Sequence, residues 1–325
     1  MRRNSMRWTQ DEEFFVGANL PWLSYGGDFG ANAWHPDGGV GRPGQRELMG
    51  AALGGLRDQG ASVVRWFLLC DGRAGLRESG AGDVEGPDDF LFRDVDAAVE
   101  ELDRAGVRAI LVLFDFHWFK RAAVLDGVRT CGRAHLAVEQ DARGRLLDRV
   151  IAPLLERYGR HPSIAAWDVI NEPEWVLRRR GAPGHPGSVT RSAMRAFIRD
   201  VVALVHDRTD HAATVGSAST RTLSLVMDVG LDVYQAHWYD QLDRRAPLDR
   251  PVGVLGLDRP LILGEFPTRG SARPVGEILE SARRSGYAGA LAWSALADDT
   301  ASDGAALSSA LAAFLAGPGS SAVRS

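Results

Sequence analysis

Two glutamates pose the chemical question. Glu172 stands in WDVINEPEW (167–175), where a run from Ile164 to Ile170, read as a buried strand, breaks into Asn171, Glu172 and Pro173. Glu265 lies near the end of PLILGEF (260–266). They are 93 residues apart, which is three strand–helix units of about 31 residues each. In a ring of eight strands they would end strands 4 and 7, on roughly opposite sides of the mouth. Two carboxylates flanking one bond supply what glycoside hydrolysis needs. One protonates the leaving oxygen, and the other attacks the anomeric carbon or activates water to do so. A metal site built from Asp115, His117, His237 and Glu265 is the competing use of such strand-end groups. Neither a first-strand HxH pair nor a candidate carboxylated lysine supports it.

Eight β-rich runs could position these groups: 14–20, 62–69, 108–116, 164–170, 213–218, 232–238, 260–266 and 289–296. Several are almost continuously apolar, as parallel strands buried on both faces are. Amphipathic stretches at 46–61, 94–107, 146–160, 191–208 and 275–287 alternate with them. Strand, loop and helix repeated eight times predicts an α/β fold, a single-domain (β/α)8 TIM barrel over residues 1–316, with 317–325 as a frayed tail. An open doubly wound sheet is the rival, but no glycine-rich phosphate loop follows the first strand. Long loops at 20–45, 174–188 and 240–258 all follow strand C-termini, the face where barrel enzymes place their sites.

The 325 residues carry a net charge of −4, so no electrostatic footprint for nucleic acid exists. Two cysteines, Cys70 and Cys131, are expected as free thiols. No apolar run approaches a membrane span, and no apolar segment follows the N-terminal arginines, so a cytoplasmic location is expected.

Further residues cluster at the strand ends: Arg65 on strand 2, His117 after strand 3, Asn171 beside Glu172, His237 and Tyr239 on strand 6, Trp293 on strand 8. In type, order and strand these, with Asn171-Glu172-Pro173 and Glu265, resemble a clan A retaining glycoside hydrolase, most similar to family 5, the cellulase and mannanase family. The resemblance covers roughly residues 14 to 296. It implies that Glu172 is the general acid/base and Glu265 the nucleophile. It implies that Asn171 bonds the sugar 2-hydroxyl, and that Arg65 and Tyr239 hold Glu265 ionised and aimed. It places His117 and His237 along the −1 subsite, with Trp293 as its floor and a cis peptide at Trp293–Ser294. Asp115 would orient its neighbours.

Trp22, Trp34, Trp118, Trp175 and Trp238 also fall at or just after strand ends, where they could stack on sugar faces. Trp8, Trp66 and Trp167 read as structural. Asp28 and His35 could reach an outer sugar hydroxyl, and Arg178 to Arg180 read as a solvated face. The expected activity is retaining hydrolysis of small β-glycosides or short oligosaccharides of glucoside or mannoside type, with no cofactor and no metal. Endo-β-1,4-glucanase or endo-β-mannanase action, transglycosylation, and a non-catalytic carbohydrate-binding barrel are the alternatives. The partner implied is a carbohydrate. Oligomeric state has no signature here.

Overall fold

The computed structural model describes residues 14–79, 82–178, 189–296 and 299–316. Eight parallel strands close into a barrel: β1 (Phe15–Asn19), β2 (Val63–Phe67), β3 (Arg108–Asp115), β4 (Ile164–Asn171), β5 (Ala212–Ser217), β6 (Tyr234–His237), β7 (Leu261–Pro267) and β8 (Gly289–Trp293). Their order in space follows the chain, and β8 pairs with β1 to complete the ring. Each strand lies on one of the runs expected from sequence.

The barrel interior is layered, as in other barrels of this kind. Val63, Ile110, Ala166, Ala212, Val233, Ile262 and Leu291 plug the lower end. Two residues further along three of those strands, the layer turns polar with Arg65, Asp168 and Gln235, all fully buried. The outward faces of the strands join the helices in the main apolar core, with Trp66 and Trp167 inside it. Both read correctly as structural, and each indole N–H finds a partner, Asp28 for Trp66 and His211 for Trp167.

The helices stop and start where local chemistry directs. Helix 43–58 opens on Pro43, whose missing N–H costs nothing in a first turn. Helix 91–105 ends on Gly106 at φ 67°, the left-handed position that releases the chain. Helix 191–208 is capped by the Thr190 hydroxyl, which accepts from Ala193 N–H.

The expectation of a helix after every strand needs correction. After β5 and β6 the chain returns through the 3₁₀ turns Thr220–Leu225 and Val252–Leu255. Pro247, Pro251 and Pro260 crowd the second of these returns and break any longer helix. The return after β3 contains a π turn, Leu147–Ile151, just before Pro153, which has no N–H to give to the preceding turn. A helix after β8, Gly304–Ala316, was not singled out in the sequence; its Ala, Leu and Ser carry little amphipathic contrast.

Two short hairpins add to the mouth: Leu76–Glu78 with Val84–Pro87, and Ala123–Leu125 with Val128–Thr130. The loop after β1 is pinned by buried carboxylates. Asp94 accepts from the N–H groups of Gly30, Gly39 and Gly41. Cys70 and Cys131 are buried free thiols. Trp8, Arg179, Arg180 and the 317–325 tail lie outside the described residues. None of the described helices is long and apolar enough to cross a membrane.

Candidate active site

Both glutamates sit at breaks in strand register, Glu172 just after one and Glu265 within another. Between Asp168 and Asn171, β4 advances three residues while β5 advances two, from Thr214 to Gly216. An alternating pleat would put Asp168 and Asn171 on opposite faces; the extra residue turns both inward. Strand β7 does the same between Leu263 and Phe266 against Ala290 to Ala292 of β8, so Gly264 and Glu265 both face the interior. Glu172 then leaves β4 in a left-handed conformation, φ 45° and ψ 51°, held by its N–H to the Gly216 carbonyl at 2.6 Å. A non-glycine residue there costs on the order of 1–3 kcal/mol and persists when its surroundings over-determine it.

Arg65 organises the layer beneath. Its guanidinium is fully buried and donates to Asp168 at 2.9 Å, Asn19 at 3.1 Å, Glu265 at 2.7 Å and Asn171 at 2.8 Å. Gly216 makes room for it: a Cβ there would lie 2.5 Å from the guanidinium and 3.0 Å from His237 Nε2. The other Glu265 oxygen accepts from the Tyr239 hydroxyl at 3.0 Å. His237 Nδ1 sits 2.9 Å from one Glu172 oxygen and 3.4 Å from Glu265. The second Glu172 oxygen accepts from the Trp175 indole N–H at 2.7 Å. Asp115 receives the His117 backbone N–H at 2.9 Å, contacts the His117 ring, and accepts from Asn171 Nδ2 at 2.8 Å. It does orient its neighbours.

One carboxylate oxygen of Glu172, one of Glu265 and a ring nitrogen of His237 lie within 4.8 Å of one another. That trio also has the spacing of a cation site, and differs from the quartet considered from sequence, because Asp115 and His117 pair with each other instead. At Glu265 the Arg65 guanidinium already supplies a fixed positive charge.

The two acids have different surroundings. Burial pushes the Glu172 carboxyl up to about 7, opposed by the Trp175 hydrogen bond and Arg65 and assisted by Asp115 and Asp243. Burial also raises Glu265, opposed in part by His237, Arg65 and the Tyr239 hydroxyl and assisted by Glu172. Of the two, Glu265 alone has a guanidinium in direct contact, so the negative charge of the pair belongs there. Burial lowers His237 to about 4, leaving the ring neutral near pH 7.

These groups open into a cleft of about 370 Å³, lined also by Trp22, Tyr25, Phe116, His117, Trp175 and Trp293. A second hollow of about 520 Å³, along 268–276 and the helix after β8, contains no carboxylate. The Trp293–Ser294 peptide is cis, as the resemblance implied.

Several expectations do not hold. Trp118 is fully buried, packs on Phe114, and donates to the Leu69 carbonyl. Trp238 is buried in the outer core. Trp238 follows His237 in the alternation and so points outward, whereas Trp118 lies on the 3₁₀ turn Phe116–Phe119 with its ring in the core. Trp34 stacks on the Arg73 guanidinium, which is sandwiched against Tyr25. Asp28 is buried and accepts from Leu23, Ser24 and Trp66, so it builds the first loop. His35 contacts the Ser24 hydroxyl in that loop. Arg65 and His237 lie behind the cleft wall and act on the carboxylates. Sequence reading missed Asn19, Asp168 and Gln235. An acid inside an apolar strand, as Asp168 is, was the signal available.

No protein-family model matches the chain. It is 24% identical over 320 residues to a mannan endo-1,4-beta-mannosidase of Mytilus edulis, covering 86% of this chain and 83% of that protein. A second mannan endo-1,4-beta-mannosidase, from Cryptopygus antarcticus, is 23% identical over 321 residues, covering 86% and 80%. In structure it superposes on the endo-1,4-beta-mannanase of Eisenia fetida with a TM-score of 0.77 at 22% identity, covering 94% of this chain and 92% of that one. The chain is a glycoside hydrolase, similar to the clan A enzymes of family 5.

Proposed function

We propose that this enzyme cleaves β-1,4-linked mannan internally and with retention, with Glu265 as nucleophile and Glu172 as general acid/base. The observation that carries the reading is the short span between the carboxylates. One oxygen of each lies within 4.8 Å of the other, nearer the separation of about 5–5.5 Å in retaining enzymes than the roughly 6.5–9.5 Å that admits a water in inverting ones.

Glu265, held by Arg65 and Tyr239, attacks the anomeric carbon while Glu172 gives its proton to the leaving oxygen. The covalent glycosyl ester removes the Glu265 charge. Two neighbouring carboxylates oppose each other's ionisation, so with Glu265 esterified the Glu172 carboxylate is no longer set against a second negative charge. It then takes a proton from water, which attacks the ester carbon. Asn171 borders the cleft beside Glu172, where a sugar 2-hydroxyl would meet its amide.

Internal cleavage is favoured over the small-glycoside mode by the placement of the aromatics. Trp22 and Trp293, 6.1 Å apart, belong to the β1–β8 side, while Trp175 follows β4 directly across the ring. Stacking surfaces on opposite sides of the mouth suit a chain that runs through it. Mannan is favoured over glucan by the relatives, both of which are named as mannanases. The test is hydrolysis of soluble β-1,4-mannan and β-1,4-glucan, with Glu265→Ala as blank. Viscosity falling faster than reducing ends appear, on mannan alone, supports the proposal. Release of single sugars from chain ends, or a preference for glucan, contradicts it.

A further inference from the structure

Trp175 occupies an unusual position. It lies three residues after Glu172 on the 3₁₀ turn Pro173–Val176, is 42% exposed, and lines the cleft. An indole so exposed has water available for its N–H, yet it donates to Glu172 Oε2 at 2.7 Å. The other oxygen, Oε1, faces His237 in the interior. The carboxyl is therefore held from both sides, by a buried ring within the barrel and by an open ring at the mouth.

We propose that Trp175 is a positioning residue that couples the sugar on the leaving-group side to the acid/base: its N–H holds Glu172 and its ring carries that sugar. This rests on the assignment of Glu172 given above. The general acid contacts the glycosidic oxygen, the one atom shared by the two sugars about to separate. The sugar on the β1–β8 side stacks on Trp293, so the one beyond the scissile oxygen extends toward β4 and meets Trp175. A sugar seated on that plane is in register with the carboxyl the same side chain holds.

The hydrogen bond also favours the ionised form of Glu172. Other groups around that carboxyl keep their influence when it is removed: Asp115 from β3, Glu174 on the same turn, His237 and Asp243 from β6 and the loop after it, Glu265 from β7, and Arg65 from below.

The experiment compares wild type, Trp175→Phe and Trp175→Ala on mannohexaose, measuring kcat and KM across pH, with folding checked by circular dichroism. Phe keeps a stacking plane and removes the N–H. The expected result is an alkaline limb of kcat/KM displaced upward by about one pH unit in both variants, because the carboxylate has lost a donor. KM should stay within about twofold for Phe and rise about tenfold for Ala. An unmoved alkaline limb in Trp175→Phe overturns the coupling, since a merely structural role would change amplitude and not the limb. An unchanged KM in Trp175→Ala overturns the stacking. A parallel assay separates this from failure of the underlying assignment: Glu172→Ala on an activated aryl mannoside should be rescued by azide, giving the β-mannosyl azide. Without that rescue, the acid/base assignment itself falls.

Discussion

Glu172 and Glu265 show how neighbours divide labour between two identical side chains. Glu265 must be ionised to attack, and burial raises it above the ordinary carboxylate range, so the acid limb of kcat/KM should lie above that range. Glu172 must be protonated, and its carboxyl sits at about 7, so activity should fall as pH rises through about 7. A pH profile on mannan checks both limbs together. Next to them, Glu174 is buried with one oxygen unpartnered and the other accepting from Ala218 N–H at 3.3 Å. Burial raises it from 4.5 to about 7. The folded protein then binds the extra proton between those values. The stability so gained is present below about pH 4.5 and is lost as pH rises through about 7, an effect on the order of 3 kcal/mol. Glu174→Gln should therefore raise Tm at pH 8 and leave it nearly unchanged at pH 4.5. An equal shift at both pH values would show that the charge is not responsible.

At the scale of the element, the strand register decides where these side chains point. Gly216 on β5 faces the Arg65 guanidinium and offers its carbonyl to Glu172 N–H. Gly216→Ala should cost about 1–3 kcal/mol through overpacking and cut kcat by at least about a hundredfold, read by thermal melts and mannan assays. A variant with wild-type kcat would mean that the layer below Glu172 does not set its geometry. The same element explains how far the sequence could be read. Apolar runs located every barrel strand, and His237 at the end of β6 and Tyr239 two residues on correctly pointed inward. That alternation also puts Trp238 outside, a signal the strand-end position alone obscured. The extra residues in β4 and β7 leave no comparable trace. Counting by twos from Asp168 directs Asn171 away from the site it occupies. The hairpins at 76–87 and 123–130 were missed because three- and four-residue strands on a surface carry too little apolar pattern to register.

Across the whole molecule, the barrel separates stability from chemistry. An apolar plug fills its lower end, a buried ionic layer around Arg65 lies above, and the carboxylates stand on that layer. Replacing Arg65 would leave Asp168 and Glu265 buried without their shared counter-charge, which is costly to the fold as well as to catalysis. Mutation there is thus a poor test of mechanism. The aromatic surfaces stand on opposing strands of the ring, which is why the strand order bears on the length of substrate the cleft accepts. The central claim is that Glu265 forms a covalent bond to sugar. It is tested most directly by incubating the enzyme with a 2-deoxy-2-fluoro-β-mannosyl fluoride and mapping the labelled peptide by mass spectrometry. The account predicts a single sugar adduct on the peptide containing Glu265, formed as activity is lost. An adduct on Glu172 or elsewhere, or inactivation with no adduct at all, would contradict it.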